Sequence, residues 1–351
     1  MSYIEILPAY HGDAFVIQAT KGEQSGVIVV DGGPEQSRIK VLRRLEQLGK
    51  IDLMILTHYD SDHISGLNTY IEQHSDPENF KVKELWVNCA REIDMRQGTN
   101  VSYGQANKMA DLLNSLNDKK EGCVEWKERI ATGYERDLKF ATITIVGPEP
   151  RILDVRQEKY EEAITNNVSL DSAVGDTNIL LETLAQKKKM IPSMKKKNEL
   201  ANMASIAFII ECDGLKALML GDSYPSAIEK ELRKKYSETN PLKVDVVKVA
   251  HHGSRNNISN TLLDIIDCQD YIISTNGGAG NTHHPDREAL ANILCHPRRD
   301  RNQPIRLYFN YGIDEIQKRT GLLLTDAEKA DYNCVIIPSV NKYPYNYANK
   351  L

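Results

Sequence analysis

Nowhere does the chain approach the roughly 20 consecutive apolar residues that a membrane-spanning helix needs, which argues against a membrane-embedded protein. The first residues, Met1-Ser2-Tyr3-Ile4-Glu5-Ile6, lack the basic start and apolar core of a secretory signal, so the expected location is the cytoplasm. Paired cysteine motifs are missing too. Cys89, Cys123, Cys212, Cys268, Cys295 and Cys334 are scattered without CxxC spacing and read as reduced thiols rather than a disulfide framework. Nor is there a strong charge of one sign: 44 basic against 49 acidic residues give a net charge of −5. That balance supplies no global pull toward nucleic acid, although it leaves room for a local basic patch.

What is present is an ordinary globular composition, 41% hydrophobic and 26% charged over 351 residues, enough for one large domain or two common ones. Apolar runs at Ile4–Leu7, Ala14–Ala19, Val27–Val30 and Leu53–Leu56, with a helical pattern at Arg38–Leu48, predict a strand-rich first part. The Gly12-Asp13 pair and Asp31-Gly32-Gly33-Pro34 are turn signals at strand ends. Between about residues 72 and 200 the pattern loosens. Leu85-Trp86-Val87 and Ala141–Val146 read as strands and Gly104–Leu116 as a helix, whereas Ile152–Leu200 is polar and poorly periodic. Its basic runs, Lys187–Lys189 and Lys195–Lys197, suit either a solvated loop or a flap that contacts phosphates. Strands return at Ser205–Glu211, Leu215–Leu220, Val244–Ala250, Gln269–Ser274, Arg306–Asn310 and Cys334–Pro338, with a helix at Ser226–Tyr236.

The chemistry concentrates at strand ends. Directly after Leu53–Leu56, the segment His58-Tyr59-Asp60-Ser61-Asp62-His63 packs four metal-capable side chains into six residues. So close a set of imidazoles and carboxylates is costly unless cations lie among them. Asp31, Asp222, His251-His252-Gly253-Ser254 and His283-His284-Pro285 follow other strand-like runs, so polar groups gather on what the pattern predicts is a sheet rim.

The segment from His58 to His63 resembles the HxDxDH variant of the metallo-β-lactamase superfamily signature, with Asp60 where a histidine is commoner. Together with Gly12-Asp13-Ala14, Val30-Asp31-Gly32-Gly33, Leu56-Thr57-His58, Leu220-Gly221-Asp222 and Lys248-Val249-Ala250-His251-His252-Gly253-Ser254, it resembles the hydrolase domain of the ComEC/Rec2 DNA-uptake proteins and their free-standing relatives. The resemblance covers about residues 1–70 and 200–290. It implies an α/β fold of the αββα four-layer type, a single domain over 1–351 carrying an insert at about 72–200 and an extension after about 290. It also implies two divalent cations, zinc or manganese: His58 and Asp60 on the first, Asp62, His63 and His284 on the second, and Asp222 bridging both. The oxygen of Asp60 hardens the first site and favours manganese.

By the same resemblance Asp62 is catalytic as well as ligating, and a histidine of the His251-His252 pair assists the leaving group, with the choice between the two left open. Asp31 is expected to orient a ligand histidine rather than touch a metal. Asn202 stands near the place of a further histidine and offers an amide oxygen or leaves the first metal loosely held. The activity implied is a phosphodiesterase or nuclease on DNA that uses metal-bound hydroxide. Two alternatives keep the site: a hydrolase of small phosphodiesters such as cyclic nucleotides or phosphorylcholine esters, and a weakly active metal- or nucleic-acid-binding subunit. With no membrane channel in the chain, a free-standing role follows, in phage defence or beside a separately encoded partner protein.

Overall fold

The structure is a computed structural model that describes residues 1–88, 101–154, 177–187 and 197–343. Alternating apolar residues decide its layering. In the strand Gln24–Val30, Ile28 and Val30 face one way and Val29 the other; in Leu53–Leu56, Leu53 and Ile55 oppose Met54 and Leu56. Both faces of these strands are therefore apolar, which requires cover on both sides.

One cover is a second sheet. Ile28, Val30, Leu53, Ile55 and Phe15 pack in one buried cluster with Ile143, Phe208, Ile210, Ala217, Met219 and Val246. The other covers are helices. Val29, Met54 and Leu56 meet Val41 and Leu45 of Arg38–Glu46 and Ile64, Leu67 and Ile71 of Ser61–Gln73. On the far side, Leu218, Val247 and Ile273 meet Ile228 of Pro225–Leu232 and Leu290 and Leu294 of Arg287–Leu294. The result is four layers, helix, sheet, sheet, helix, each fully buried aliphatic or aromatic side chain contributing roughly 1.5–3 kcal/mol.

Among the described residues the first sheet has seven strands, in the order Lys342–Tyr343, Tyr3–Ile6, Phe15–Lys21, Gln24–Val30, Leu53–Leu56, Glu84–Val87 and Glu125–Lys127. The second has eight, in the order Cys334–Ile337, Ile305–Phe309, Asp270–Ile273, Val246–Lys248, Leu215–Met219, Ala207–Cys212, Thr142–Gly147 and Glu135–Asp137. The strands that matter for chemistry run parallel: Val30 lies beside Ile55, Met219 beside Lys248, and Lys248 beside Ile272. Parallel neighbours end on the same rim. That register delivers Asp31, His58, Asp222, His251 and Ser274 to one edge, where Ile206 N–H donates to Thr57 O at 2.8 Å and ties the two sheets together.

The strands expected at Arg306–Asn310 and Cys334–Pro338 are present, and other elements differ from the sequence expectation. The tail is woven into both sheets: Ile305–Phe309 and Cys334–Ile337 extend the second, and Lys342–Tyr343 pairs with Tyr3–Ile6 in the first. The expected strand Val244–Ala250 is a strand only over Val246–Lys248, then turns sharply. The expected helix Ser226–Tyr236 spans Pro225–Leu232. Of the two basic runs, Lys187 pairs with Glu288 at 3.0 Å, while Lys188, Lys189, Lys195 and Lys196 lie outside the described residues, as does Cys89. The five described cysteines are free thiols. No helix among the described residues is long and apolar enough to cross a membrane.

Close backbone packing sets the helix Ser61–Gln73 against the Asp31-Gly32-Gly33 turn: Gly32 N–H donates to His63 O at 2.8 Å and Gly66 N–H to Gly33 O at 3.0 Å. A Cβ on Gly66 would stand 1.9 Å from Gly32 O. Gly66→Ala is expected to destabilise the fold by about 1–3 kcal/mol, read from urea unfolding; an unchanged midpoint contradicts this packing.

Candidate metal centre

The loop after Leu53–Leu56 leads straight into the helix Ser61–Gln73, with Asp60 at the N-cap, so His58, Asp60, Asp62 and His63 all lie within one tight turn at the rim. Asp222 arrives from the turn after Leu215–Met219, its N–H donating to Ser205 Oγ at 3.0 Å. The His251-His252 pair sits in a short helical turn with both residues in the left-handed region, φ 49° and 54°. Such a conformation costs of order 1–3 kcal/mol at each non-glycine residue. Here it is held by His251 N–H on Gly221 O at 3.0 Å and Ser254 N–H on His251 O at 2.8 Å.

These elements converge on one oxygen. Asp222 Oδ2 lies 3.8 Å from His58 Nε2, 3.5 Å from His63 Nε2, 3.7 Å from His251 Nε2 and 3.8 Å from His252 Nε2. Asp60 Oδ2 is 3.6 Å from His58 Nε2, and Asp62 Oδ2 is 3.9 Å from His63 Nε2 and 3.6 Å from His252 Nε2. Two groups with ligand spacing follow, His58, His63 and Asp222, and Asp62, His63 and His252.

The outer hydrogen bonds set the tautomer of every one of these rings. His63 Nδ1 faces the Asp31 carboxylate at 2.8 Å and His252 Nδ1 faces the Ser274 carbonyl at 2.9 Å; both partners only accept, so both Nδ1 atoms carry the proton. His251 Nδ1 donates to Asn257 Oδ1 at 3.2 Å, because Asn257 Nδ2 is committed to the carbonyls of Asp222 and Ser223. Thr57 Oγ1 donates to Asp31 at 2.7 Å and so accepts from His58 Nδ1 at 3.2 Å. In the neutral form that metal binding requires, the four imidazoles turn bare Nε2 lone pairs toward carboxylate oxygens. Among the described residues, the buried Nε2 atoms of His58, His63 and His252 and Oδ1 of Asp222 have no hydrogen-bond partner. A buried nest of acceptors without donors is unfavourable by itself and fits divalent cations bound by imidazole and carboxylate.

Without cations the only relief is protonation. Burial disfavours an imidazolium at His252, but Asp13 and Asp222 outweigh it and push the ring up to about 9. At His63 burial is likewise overcome, by Asp222, Asp31 and Asp62, and its pKa rises well above the ordinary value. His251 goes the other way, to about 4, through burial together with His284 and His252. The carboxyls of Asp62 and Asp222 fall below their usual range, since the surrounding imidazoles override burial. A proton held with a raised pKa competes with a metal below that pKa. Metal affinity is therefore expected to climb as pH rises toward about 9 and to flatten above it, with protons released on binding at neutral pH. Calorimetry in two buffers of different ionisation enthalpy reads that release; a buffer-independent heat counts against it.

The structure divides the histidine doublet. His252 is buried in the group with Asp62 and His63, while His251 is partly open, its ring 5.3 Å from that of His284. His284 is not in either ligand group; its Nδ1 faces Asp286 Oδ2 at 3.3 Å. Asp31 is fully engaged, accepting from Thr57 N–H and Oγ1 and from His63. Asn202 is buried at the end of the helix Lys197–Met203, beside Tyr224, with its Oδ1 unpartnered. His11 lies near enough to feel Asp62, His252 and His63.

Sequence reading passed over four contributors. Asp13 was legible as a turn residue and as part of the motif Gly12-Asp13-Ala14, without a role, yet its Oδ1 is 3.4 Å from His252 Nδ1. Thr57 stood in the motif Leu56-Thr57-His58 with no role assigned, and Asn257 gave no signal. Lys248 did: it is a charged residue inside the apolar run Val246-Val247-Lys248-Val249-Ala250, and it is buried in an ion pair with Asp13.

The model of the metallo-beta-lactamase superfamily matches residues 7–150, a span that contains His58 to His63 but not Asp222 or the histidine doublet. The mixed α/β fold is consistent with the metallo-beta-lactamase fold. Similar solved structures include the metallo-beta-lactamase fold protein YhfI from Bacillus subtilis, 11% identical, covering 97% of this chain and 98% of that one, with a TM-score of 0.41. Zn(2+)-bound PqqB from Methylobacterium extorquens is 10% identical, with 94% and 86% covered and a TM-score of 0.40. A long form RNase Z from yeast is 11% identical, with 77% and 37% covered and a TM-score of 0.32. No curated protein matches significantly.

Proposed function

We propose that the chain is a metal-dependent phosphodiesterase that cleaves DNA. The observation that carries the metal chemistry is the set of four imidazole Nε2 atoms turned on Asp222 with no donor among them. His58, Asp60 and Asp222 would hold one divalent cation; Asp62, His63, His252 and Asp222 would hold the second. His252 takes the place that the family resemblance gave to His284, because its Nε2 is 3.6 Å from Asp62 Oδ2. The oxygen donor at Asp60 favours manganese over zinc at the first position.

When bound, such a pair supplies Lewis acidity toward a phosphoryl oxygen and a water acidic enough to attack at neutral pH. The protein's own groups do the rest. Asp31, Ser274 and Asn257 fix the rings of His63, His252 and His251 with Nε2 inward. His251 is placed on the open side, toward the leaving group, and Asp62 would help to hold the second cation. The choice of DNA rests on the joint motif set shared in kind with the ComEC/Rec2 hydrolase domains, whose resemblance runs through both halves of the site.

The test is metal analysis of the purified chain followed by cleavage assays in manganese on bis(p-nitrophenyl) phosphate and on linear single-stranded, linear duplex and circular DNA. Turnover that Asp62→Ala abolishes is expected, and cutting of circular DNA identifies an endonuclease. Activity confined to small esters would sink the DNA reading. An intact fold that cleaves nothing with manganese, zinc or iron would leave a binding subunit instead.

A further inference from the structure

Behind the two ligand groups lies a third. Asp13, Asp31 and His63 also place ligand atoms within 4.8 Å of one another, and all three are almost completely buried. Two carboxylates at that spacing away from water repel strongly unless a cation stands between or beside them. Lys248 stands beside the Asp13 member of the group, on its Asp222 side. Its Nζ is ion-paired with Asp13 Oδ2, donates to Gly221 O at 3.1 Å, and lies 3.9 Å from the otherwise unpartnered Asp222 Oδ1.

We propose that the Lys248 ammonium is the resident cation of this third pocket and keeps a third metal ion out. The proposal deepens the dinuclear reading above and rests on it. Charge supports it: Asp13, Asp31, Asp60, Asp62 and Asp222 bring five negative charges to the rim, Lys248 returns one, and the remaining four equal two divalent cations. The donor set supports it as well. The Asp13 carboxylate, the Gly221 carbonyl and Asp222 Oδ1 are all oxygens, a set that suits manganese or magnesium better than zinc. Lysine fills the place with a cation that cannot exchange, and it joins the Asp13 turn of the first sheet to the Gly221-Asp222 turn of the second.

Removing the side chain opens the pocket. Lys248→Ala, dialysed against manganese and counted by elemental analysis, is expected to bind one more ion per chain than the parent at saturation. Adding Asp13→Asn to it is expected to abolish the increment. A folded Lys248→Ala that binds no more ions than the parent overturns the proposal. Should that variant fail to fold, the nearly isosteric Asp13→Asn decides: the parent's ion count is expected to persist, because Asp13 serves the ammonium, and loss of an ion overturns the proposal. A parent that binds fewer than two ions refutes the dinuclear reading separately, since the increment is measured against whatever the parent holds.

Discussion

Asp222→Asn is expected to empty the metal centre and lower phosphodiester turnover by about 10^3-fold while leaving the metal-free fold as stable as the parent or more so above about pH 9, where His252 has lost its extra proton. The reason is the direction in which an amide must settle. Oδ1 of Asp222 faces the Lys248 ammonium, a donor, and Oδ2 faces four imidazole Nε2 lone pairs. The asparagine oxygen therefore turns to Lys248 and its NH2 group to the rings, which supplies the nest with the donors it lacks. What a cation had to do, two N–H bonds then do, and the bridging ligand is gone. Elemental analysis, turnover and thermal unfolding of the metal-free proteins check the three parts. Retention of both ions with parental turnover would show that Asp222 does not bridge.

Asp31→Asn is expected to weaken metal binding by roughly 10–100-fold although Asp31 touches no metal in the proposed arrangement. Its two oxygens accept three hydrogen bonds, from Thr57 N–H, Thr57 Oγ1 and His63 Nδ1. An amide can offer only one oxygen. If the oxygen stays on Thr57 N–H, the NH2 group meets His63 Nδ1 and moves its proton to Nε2, so that a donor replaces the lone pair turned toward Asp222. The loss is expected in manganese or zinc affinity measured by competition with a chelator, with Asp31→Glu or Asp31→Ala unable to restore it, since neither keeps the geometry. Unchanged affinity in a folded Asp31→Asn would remove the orienting role.

Much of the architecture is legible in the residues. Strands at Val27–Val30 and Leu53–Leu56 announce themselves by short apolar runs between turn signals, and the structure has strands Gln24–Val30 and Leu53–Leu56 there. The crowded set from His58 to His63 needs no tertiary information to stand out, because its four side chains are forced together by six residues of backbone. The tail was legible as far as the strands Ile305–Phe309 and Cys334–Ile337, and opaque beyond them. Lys342–Tyr343 is a two-residue strand whose only sign is its partner Tyr3–Ile6, more than 330 positions earlier. Such pairing depends on what lies alongside rather than on local propensity.

The sequence by itself determined the ingredients: an α/β chain, strand ends rich in histidine and aspartate, and a six-residue segment that repels itself without cations. Only the tertiary structure decided which of these side chains meet. It set His252 rather than His284 beside Asp62 and His63, turned every Nδ1 outward, and buried Lys248 against Asp13. Those decisions are differences of an ångström or two between groups carried by separate strands of two sheets. Spacing along the chain does not encode them, because they come from the parallel register and from two strained histidines held at φ 49° and 54°.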